Sequence, residues 1–489
     1  MKRILFCTAL LLSLLLLALP ASAKDITKSV QKTGVPSEWL DDSYTTYASL
    51  AKEKEVTLRS DTPIASLYFR FDRLPASFLT VKTGEERKDV RVDYLHFFLS
   101  LTDLFGKSVD EVSLSFPDTK VSVADLFVFS EGELPDLVQR WEPMCEEADL
   151  VLCTTHADDE QLFFLGILPT YAGERGYEVQ VVYFVNHNDV HDRPHELLNG
   201  LWTVGVRHYP MIGELKDAWD GSTKTLEYGY KTFAKQGYSE DDIVRMQVEM
   251  IRRFRPQVIV GHDLKGEYGH PQHMVNADSL VKALGHCGDP AYAAEGAPYT
   301  PQKVYLHLYG ENQITMNWDL PLSAFGGRTG YEVSKDGYAC HLSQQWTWFT
   351  GWIRGKTKPY YTSATQITKH FPTQFGLYFT TVGNDEEGGD FFEHLTPRSL
   401  TPPETEPVTE PATEPVTEPP TQPVTSPVTD LPTSPVTVPA TDQPTSPVTA
   451  PSTDPSAAPE KAPVGGILLV CAGIAAIAAG WMAVRKKKK

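Results

Sequence analysis

Between residues 142 and 308, short apolar runs alternate with segments that have the spacing of helices. Each apolar run has the length of a buried strand, and the runs occupy residues 148–154, 179–185, 257–260 and 303–308. The helical segments include one that opens with the serine and aspartate of a capping box, at Ser239 and Asp242. Strands that alternate with helices form a mostly parallel sheet covered on both faces. We therefore predict an α/β domain at residues 141–400, with residues 309–399 as an irregular extension packed on the sheet.

Two loops that follow these strands carry imidazoles and carboxylates. The sequence His-Ala-Asp-Asp-Glu at residues 156–160 follows the first strand, and residues 161–168 indicate the start of a helix. The sequence Gly-His-Pro-Gln-His at residues 269–273 comes shortly after the third strand. In an open α/β sheet, ligands bind at the carboxyl ends of the strands. Carboxylates this close together repel one another unless a positive charge lies among them, so the first loop predicts a divalent metal ion.

A catalytic zinc typically takes three protein ligands and leaves a fourth position to water. The candidate ligands are His156, one carboxylate of the first loop and one imidazole of the second. Zinc lowers the pKa of its bound water to about 7, and a second carboxylate that does not bind the metal can take the proton. A spare histidine of the second loop can stabilise the oxyanion or protonate the leaving amine. For the first motif by itself, an ordinary surface loop is the alternative.

Together, these two motifs resemble those of the LmbE/PIG-L family of metal-dependent N-acetylglucosaminyl deacetylases. The sequence Arg-Pro-His-Glu-Leu at residues 193–197, with Val-Gly-Val at residues 204–206, is similar to a third landmark of the family. The sequence His-Leu-Ser-Gln at residues 341–344 is similar to its late His-x-Ser-Gln segment. The resemblance covers residues 148–308, and it implies a Rossmann-like fold of the LmbE type.

The resemblance also implies which residues bind the metal and which act on the substrate. His156, Asp159 and His273 are the implied ligands of Zn²⁺, or of another divalent ion such as Fe²⁺. Asp158 is the implied general base. His270 is the implied group that stabilises the tetrahedral oxyanion or assists the departing amine. The implied reaction is the hydrolysis of an N-acetyl group on an amino sugar.

Two further residues are implied to lie near the sugar, namely Arg193 and Glu196, for which an ion pair on the helix surface is the alternative. Ala157 replaces the usual proline of the first motif, and Gln272 replaces the aspartate that would orient a neighbouring imidazole. Neither change removes an implied ligand or base, so we expect an active enzyme. We expect the remaining histidines near the motifs to be solvated or structural: His187, His191, His195, His208 and His262.

Residues 24–140 have a different pattern, in which aromatic and β-branched runs are separated by polar or Pro/Gly-containing turns. Several short strands with turns between them indicate a β-sandwich. Residues 123–135 resemble the last strand and exit of a galactose-binding-type jelly roll. We therefore predict a β-sandwich domain at residues 24–140, which either helps to engage a glycan or serves only as a packing domain.

The two ends of the chain indicate a membrane-anchored protein outside the cell. Residues 1–23 combine a positive start, an apolar stretch and small residues, as in a signal peptide, with a short membrane anchor as the alternative. A Thr-Pro repeat at residues 401–463 predicts a disordered stalk. Residues 464–484 are apolar and long enough to span a bilayer, and the basic residues 485–489 favour the cytoplasmic side. We expect a bacterial cell-membrane protein that crosses once and carries an extracellular ectodomain.

The net charge of −19, without a basic stripe, argues against nucleic acid as a partner. Four cysteines fall in the predicted ectodomain, and they form either up to two disulfides or small buried thiols: Cys145, Cys153, Cys287 and Cys340. The sequence leaves the oligomeric state open.

All of this predicts a surface-anchored, metal-dependent hydrolase that deacetylates N-acetylglucosamine-type amino sugars in glycans or glycoconjugates. One alternative is a surface adhesin whose domains only bind carbohydrate, although such a module has no need of an unligated base beside a metal. The other alternative is an amidase with the same chemistry that acts on a different amide, such as a thiol conjugate.

Overall fold

The computed structural model describes residues 22–75 and 77–400. The predicted signal peptide, apart from its last two residues, lies outside this part of the chain. So do the predicted stalk at residues 401–463, the membrane helix at 464–484 and the basic tail at 485–489. Within the described residues, no helix is both long enough and apolar enough to cross a membrane.

Two antiparallel sheets make up the N-terminal part of the described chain. Their strands, with one short helix between β7 and β8, are β1 Gln31–Thr33, β2 Ala48–Leu50, β3 Val56–Ile64, β4 Ser66–Phe71, β5 Phe78–Thr83, β6 Glu86–Arg91, β7 His96–Ser100, α1 Leu101–Phe105, β8 Val109–Ser115 and β9 Val121–Phe129. One sheet has the order β1-β3-β8-β5-β6, and the other has the order β2-β9-β4-β7. Side chains of both sheets, such as Phe69 and Leu114, are buried in one continuous core, as expected for stacked sheets.

A seven-stranded mixed sheet forms the second part, in the order β12-β11-β10-β13-β14-β18-β15. Its strands are β10 Leu150–Thr154, β11 Val179–Asn186, β12 Met211–Lys216, β13 Val258–Gly261, β14 Lys303–His307, β15 Gln313–Thr315 and β18 Gln374–Thr380, while β16 Pro321–Leu322 and β17 Arg328–Thr329 pair separately. Strands β10 to β14 are parallel, and β18 runs antiparallel to β14 and β15. The predicted mostly parallel sheet is therefore confirmed.

Helices cover both faces of this sheet because successive strand residues point to opposite sides. The helices are α2 Asp192–Thr203, α3 Leu226–Ala234, α4 Glu240–Phe254, α5 Pro271–Leu284, α6 Gly330–Ala339 and α7 Trp348–Arg354. In β10, Leu150 and Leu152 share a core with Leu201 of α2, whereas Val151 shares another core with Ile251 of α4. Helix α4 starts with the predicted capping box.

The chain departs from the predicted helix directly after the first loop. Consecutive turns run to residue 166, and a π-helix follows at Pro169–Glu174. Gly166 has φ of +84°, and a Cβ at this position would overlap the Trp318 ring. A left-handed glycine interrupts the α-helical hydrogen-bond pattern, and this explains why a regular helix does not begin at residue 161.

The predicted irregular extension at residues 309–399 also differs from expectation. It contributes β15 and β18 to one edge of the main sheet, together with helices α6 and α7. Antiparallel edge strands are common additions to otherwise parallel sheets. The extension is therefore an integral part of the α/β fold.

The strand order reverses between β10 and β13. The chain runs from β10 outward to β11 and β12, and then returns to place β13 and β14 on the other side of β10. A crevice opens at the carboxyl ends of the strands where such a reversal occurs. Since the two predicted motif loops follow β10 and β13, they meet at this crevice.

The two parts of the described chain belong to one compact unit. Buried polar contacts join them: His96 Nε2 lies 2.8 Å from His195 Nδ1 of α2, and Gln139 Nε2 donates to Asn199 Oδ1 at 2.7 Å. The sandwich is thus fixed to the helix that carries Arg193 and Glu196.

The four cysteines of the predicted ectodomain are free thiols in the described chain. Cys145, Cys153 and Cys287 are buried, and Cys340 is partly buried. Of the two alternatives, the structure therefore agrees with buried thiols. Burial raises the pKa of the Cys153 thiol to about 12, as expected for an inert core cysteine.

Candidate active site

The first motif loop turns sharply at the end of β10. Asp159 Oδ2 accepts hydrogen bonds from the main-chain N–H of His156 at 2.7 Å and of Thr155 at 3.3 Å. Asp158 has φ of +125°, a conformation that residues with a side chain rarely adopt. Backbone strain of this kind is concentrated at functional sites. The turn is therefore a candidate catalytic element on geometric grounds as well.

Three atoms of the predicted ligands converge in the crevice. His156 Nδ1 lies 3.0 Å from His273 Nε2 and 3.4 Å from Asp159 Oδ2, and His273 Nε2 lies 3.3 Å from the same oxygen. Two atoms bound tetrahedrally to one zinc at its usual bond lengths are roughly 3.3 Å apart. All three side chains are buried. The spacing of these donors fits one divalent ion.

Hydrogen bonds on the outer side of the two imidazoles direct their lone pairs inward. His156 Nε2 donates to Gln272 Oε1 at 3.1 Å, and His273 Nδ1 donates to Glu267 Oε2 at 2.7 Å. The inner nitrogens, His156 Nδ1 and His273 Nε2, therefore face each other at 3.0 Å, and a proton or a metal cation must lie between them. The donor set therefore fits a metal ion, and Gln272 does orient an imidazole although it replaces an aspartate.

The two neighbouring aspartates have pKa values displaced in opposite directions. Burial acts to raise the pKa of Asp159, but the imidazoles of His273 and His156 outweigh burial and hold it well below its usual range. Burial raises the pKa of Asp158 to about 7, against the opposing charge of Arg193. A carboxylate that stays ionised suits a metal ligand, whereas a carboxyl group that titrates near neutrality suits a general base.

The second motif loop ends where helix α5 begins. His270 is the N-cap of this helix, and its Nδ1 accepts a hydrogen bond from the Gln272 main chain at 3.3 Å. The His270 ring lies 4.7 Å from the ring of His273 and 4.6 Å from that of His156. Burial, reinforced by these two imidazoles, lowers the pKa of His270. His270 is therefore a neutral imidazole beside the ligand set.

Arg193 and Glu196 are both buried on α2. Arg193 Nη2 donates to the carbonyl oxygen of Ala157 and lies 3.9 Å from Asp158 Oδ1. The carboxylate oxygens of Glu196 accept hydrogen bonds from the main-chain N–H and the hydroxyl of Ser343, each at 2.6 Å. The structure thus brings Arg193 to the catalytic loop, while Glu196 holds the late His-x-Ser-Gln segment.

That late segment also contacts the first motif. His341 Nε2 lies 3.1 Å from Glu160 Oε1, and both side chains are fully buried. Glu160 Oε2 in turn accepts the main-chain N–H of Asp158 at 3.0 Å. Glu160, the third carboxylate of the motif, therefore stabilises the loop through these two contacts and does not lie among the candidate ligands.

The sequence patterns did not single out Glu267, and we expected His262 to be solvated or structural. Glu267 is completely buried and lies 2.7 Å from the Nδ1 atoms of His262, His273 and His307. A signal was present in the sequence, because His262 directly follows the third strand and Glu267 lies within the same loop. Residues at both ends of this loop, which follows β13, therefore lie at the crevice.

The other histidines occupy separate surroundings. His191 Nδ1 lies 2.5 Å from Asp72 of the sandwich, and His208 Nε2 lies 2.5 Å from Glu178. His187 lies near the first motif, with its ring 5.8 Å from that of His156, and burial lowers its pKa to about 3. His195 faces His96 at the sandwich contact. These placements agree with structural roles.

Comparisons with known proteins show what the chain is similar to. Residues 151–284 match the family model described as "PIG-L: GlcNAc-PI de-N-acetylase". The chain is 46% identical over 114 residues to the 1D-myo-inositol 2-acetamido-2-deoxy-alpha-D-glucopyranoside deacetylase 2 of Saccharopolyspora erythraea, covering 22% of this chain and 40% of that protein. It is 30% identical over 174 residues to the corresponding deacetylase of Streptomyces griseus, covering 32% and 54%. It is also similar to the crystallised N,N'-diacetylchitobiose deacetylase from Pyrococcus horikoshii, with a TM-score of 0.32, 15% identity and coverage of 47% and 84%.

The chain spans about half the length of the curated relatives it matches, at 40% and 54% of their sequences. The segment that matches the family model contains both motif loops and helix α2. The central part of this chain is thus similar to deacetylases of the PIG-L type, over the same residues that form the buried donor set.

Proposed function

We propose that this chain is a metal-dependent hydrolase that removes the acetyl group from an N-acetylglucosamine-type amino sugar. The observation that carries the proposal is the convergence of His156, Asp159 and His273 at 3.0–3.4 Å, with the buried carboxyl group of Asp158 outside that donor set. The similarity of residues 151–284 to deacetylases supports the substrate class. Zn²⁺ is the proposed ion, since two imidazoles and one carboxylate suit it, and Fe²⁺ is the alternative.

A divalent ion held by these three residues would act as a Lewis acid and would lower the pKa of a bound water to about 7. Asp158 takes a proton from the attacking water, because it is the carboxyl group of the loop that is free of the imidazole cluster. Arg193 holds this carboxyl group in place, since it bonds to the Ala157 carbonyl oxygen and lies 3.9 Å from Asp158.

His270 stabilises the charge that develops on the acetyl oxygen. Its Nδ1 accepts a main-chain hydrogen bond, so the neutral ring carries its hydrogen on Nε2 and has a donor available there. A donor fixed in advance at the N-cap of α5 acts without reorganisation, and this is the property that makes oxyanion sites effective. We therefore favour the oxyanion role for His270 over protonation of the amine.

The place of action is also a proposal, and it rests on the sequence. Residues 464–484 would hold the enzyme in the cell membrane, with the β-sandwich and the α/β part outside the cell. The substrates would then be N-acetylated glycans or glycoconjugates of a cell wall or host surface. The β-sandwich would help to engage them.

The test is acetate release by the purified full chain, from N-acetylglucosamine and its oligomers, with metal analysis of the same sample. Asp158→Asn keeps the donor set, so it should retain the metal and lose at least about 10²-fold in rate. Asp189→Asn is a matched control, because the Asp189 side chain is 77% exposed and pairs with Lys216 on the surface. Its rate should equal that of the wild type.

Two outcomes would change the proposal. Full activity of Asp158→Asn would remove Asp158 from the role of base. Cleavage of another amide, such as a thiol conjugate, without any acetate release from amino sugars would keep the mechanism and replace the substrate class.

A further inference from the structure

A fourth imidazole lies beside the proposed metal ligands. His262 Nε2 is 3.4 Å from Asp159 Oδ2, the same oxygen that lies 3.4 Å from His156 Nδ1 and 3.3 Å from His273 Nε2. His262 has no exposed surface. Three imidazole nitrogens therefore surround one carboxylate oxygen, and the third of them has no role in the mechanism above.

Glu267 determines which nitrogen of His262 faces Asp159. The Nδ1 atom of His262 lies 2.7 Å from Glu267 Oε2, which can only accept when ionised, so Nδ1 carries the hydrogen. Nε2 has no hydrogen-bond partner among the described residues. Asp159 Oδ2, at 3.4 Å, is an acceptor that faces this nitrogen, so a proton or a cation must lie between the two atoms. Buried polar atoms seldom lack a partner, and a cation between Nε2 and Asp159 would supply one.

His262 and His273 are held as a matched pair. Their rings are stacked, with centroids 4.2 Å apart and an interplanar angle of 26°. Both Nδ1 atoms lie 2.7 Å from Glu267 Oε2, and both Nε2 atoms face Asp159 Oδ2. Since one ring of the pair is a proposed ligand, the other ring presents the same atom in an equivalent orientation.

We propose that His262 Nε2 is a further protein ligand of the divalent ion, and that Glu267 is the positioning residue that orients His262 and His273 together. The inference rests on the proposed metal centre and enlarges its donor set to three imidazoles and one carboxylate. Ligand atoms of Asp159, His262 and His273 lie within 4.8 Å of one another, and His156 adjoins this cluster through its contacts with His273 and Asp159. With four protein ligands, a bound water would need a further coordination position, which would favour an ion that accepts five or more ligands.

His307 provides a control within the same cluster. Its Nδ1 lies 2.7 Å from Glu267 Oε1, and its Nε2 lies 3.0 Å from the carbonyl oxygen of Phe371. Both nitrogens of His307 therefore have hydrogen-bond partners of their own, and neither is free for a metal. His307→Gln therefore disturbs Glu267 without removing a ligand.

The first experiment is X-ray absorption spectroscopy on the full chain loaded with Zn²⁺ or Co²⁺, which counts the imidazoles on the metal. We expect three imidazoles in the wild type, two in His262→Gln and three in His307→Gln.

Metal affinity, measured by competition with a chromophoric chelator, should fall at least tenfold in His262→Gln and less than threefold in the His307→Gln control. A wild type with two imidazoles, or a His262→Gln variant with unchanged count and affinity, would overturn the assignment. If His262→Gln fails to fold, the wild-type count alone decides.

Glu267→Gln tests the positioning role, since the amide keeps an acceptor oxygen but lacks the charge. Metal affinity should fall by about 10–100-fold, while the melting temperature of the metal-free protein should fall no more than in His307→Gln. An unchanged affinity would refute the role. These readouts do not depend on deacetylation. Metal bound by three imidazoles without acetate release would sustain this inference and refute the proposed activity.

Discussion

Asp158 and Asp159 are adjacent in the chain, yet their side chains enter different surroundings. Asp159 is the carboxylate around which the imidazoles gather, whereas the cation nearest to Asp158 is Arg193, at 3.9 Å. The backbone of Asp158, with φ of +125°, separates the two side chains within one turn. Strain at a single residue thus directs neighbouring carboxylates into different surroundings, as the proposed roles of ligand and base require.

At the residue scale, Gln272 offers a direct test of ligand orientation. Its Oε1 accepts from His156 Nε2 at 3.1 Å, and its own amide donates to the Lys216 carbonyl oxygen at 3.1 Å. Gln272→Ala frees the His156 ring to rotate, so we expect metal affinity to fall by about 10–100-fold. Gln236→Ala is the matched control, because Gln236 also bonds to the Lys216 main chain, but at the surface. Equal affinities for both variants in chelator competition would show that Gln272 does not orient the ligand.

At the scale of elements, the sequence was most informative where burial and capping act locally. Four strands of the α/β part were predicted, namely β10, β11, β13 and β14, and each coincides with a continuous apolar run. The capping box of α4 follows from Ser239 and Asp242. Both motif loops could be predicted to meet because the carboxyl ends of parallel strands share an edge. The loops that hold the candidate ligands could therefore be predicted from the sequence, whereas the choice of His156, Asp159 and His273 came from the resemblance to the family.

The turns after β10 and the full set of Glu267 contacts could not be predicted, although the sequence places His262 and Glu267 in one loop. Gly166 interrupts the expected helix with a left-handed backbone, and the Trp318 ring leaves no room for a Cβ there, a contact across more than a hundred residues that no local pattern records. Glu267 contacts His262 of its own loop and His273 of α5, and it gains His307 of β14 only when the sheet has formed. Pairings of this kind depend on tertiary distances, and a single sequence does not contain them.

Gly166→Ala tests the turn segment as an element. The left-handed backbone, with φ of +84°, disfavours a side chain, and the new Cβ would overlap the Trp318 ring. We expect a loss of about 2–4 kcal/mol in the free energy of unfolding, measured with urea. Gly176→Ala is the control, since Gly176 also has a positive φ, of +65°, but its Cβ would meet nothing within 4 Å. That variant should lose only about 1–2 kcal/mol. If both variants were equally stable, the Trp318 contact would not constrain this turn.

At the scale of the whole molecule, a pair of buried imidazoles joins the β-sandwich to the α/β part. His96 Nδ1 lies 2.7 Å from Gln139 Oε1, and His96 Nε2 lies 2.8 Å from His195 Nδ1. Tyr44 stacks on His195, with ring centroids 5.1 Å apart. Because α2 carries both His195 and Arg193, this contact connects the sandwich to the helix that supports the catalytic loop.

This contact predicts how stability depends on pH. Burial, reinforced by Arg70, lowers the pKa of His195 to about 3, and burial also holds the pKa of His96 well below its usual range. Below pH 6.5 the unfolded chain binds protons that the folded chain excludes, so folding stability is complete above that pH and is lost as the pH falls. From pH 7 to pH 5 the loss is about 2 kcal/mol for each such histidine.

His195→Asn, which keeps a polar atom near Nδ1, should be less stable than the wild type at pH 7, but its stability should depend less on pH. His394→Asn is the control for the substitution itself, because the His394 side chain lies at the surface. Urea unfolding at matched metal occupancy measures both, and parallel pH curves for wild type and His195→Asn would show that His195 does not titrate with unfolding.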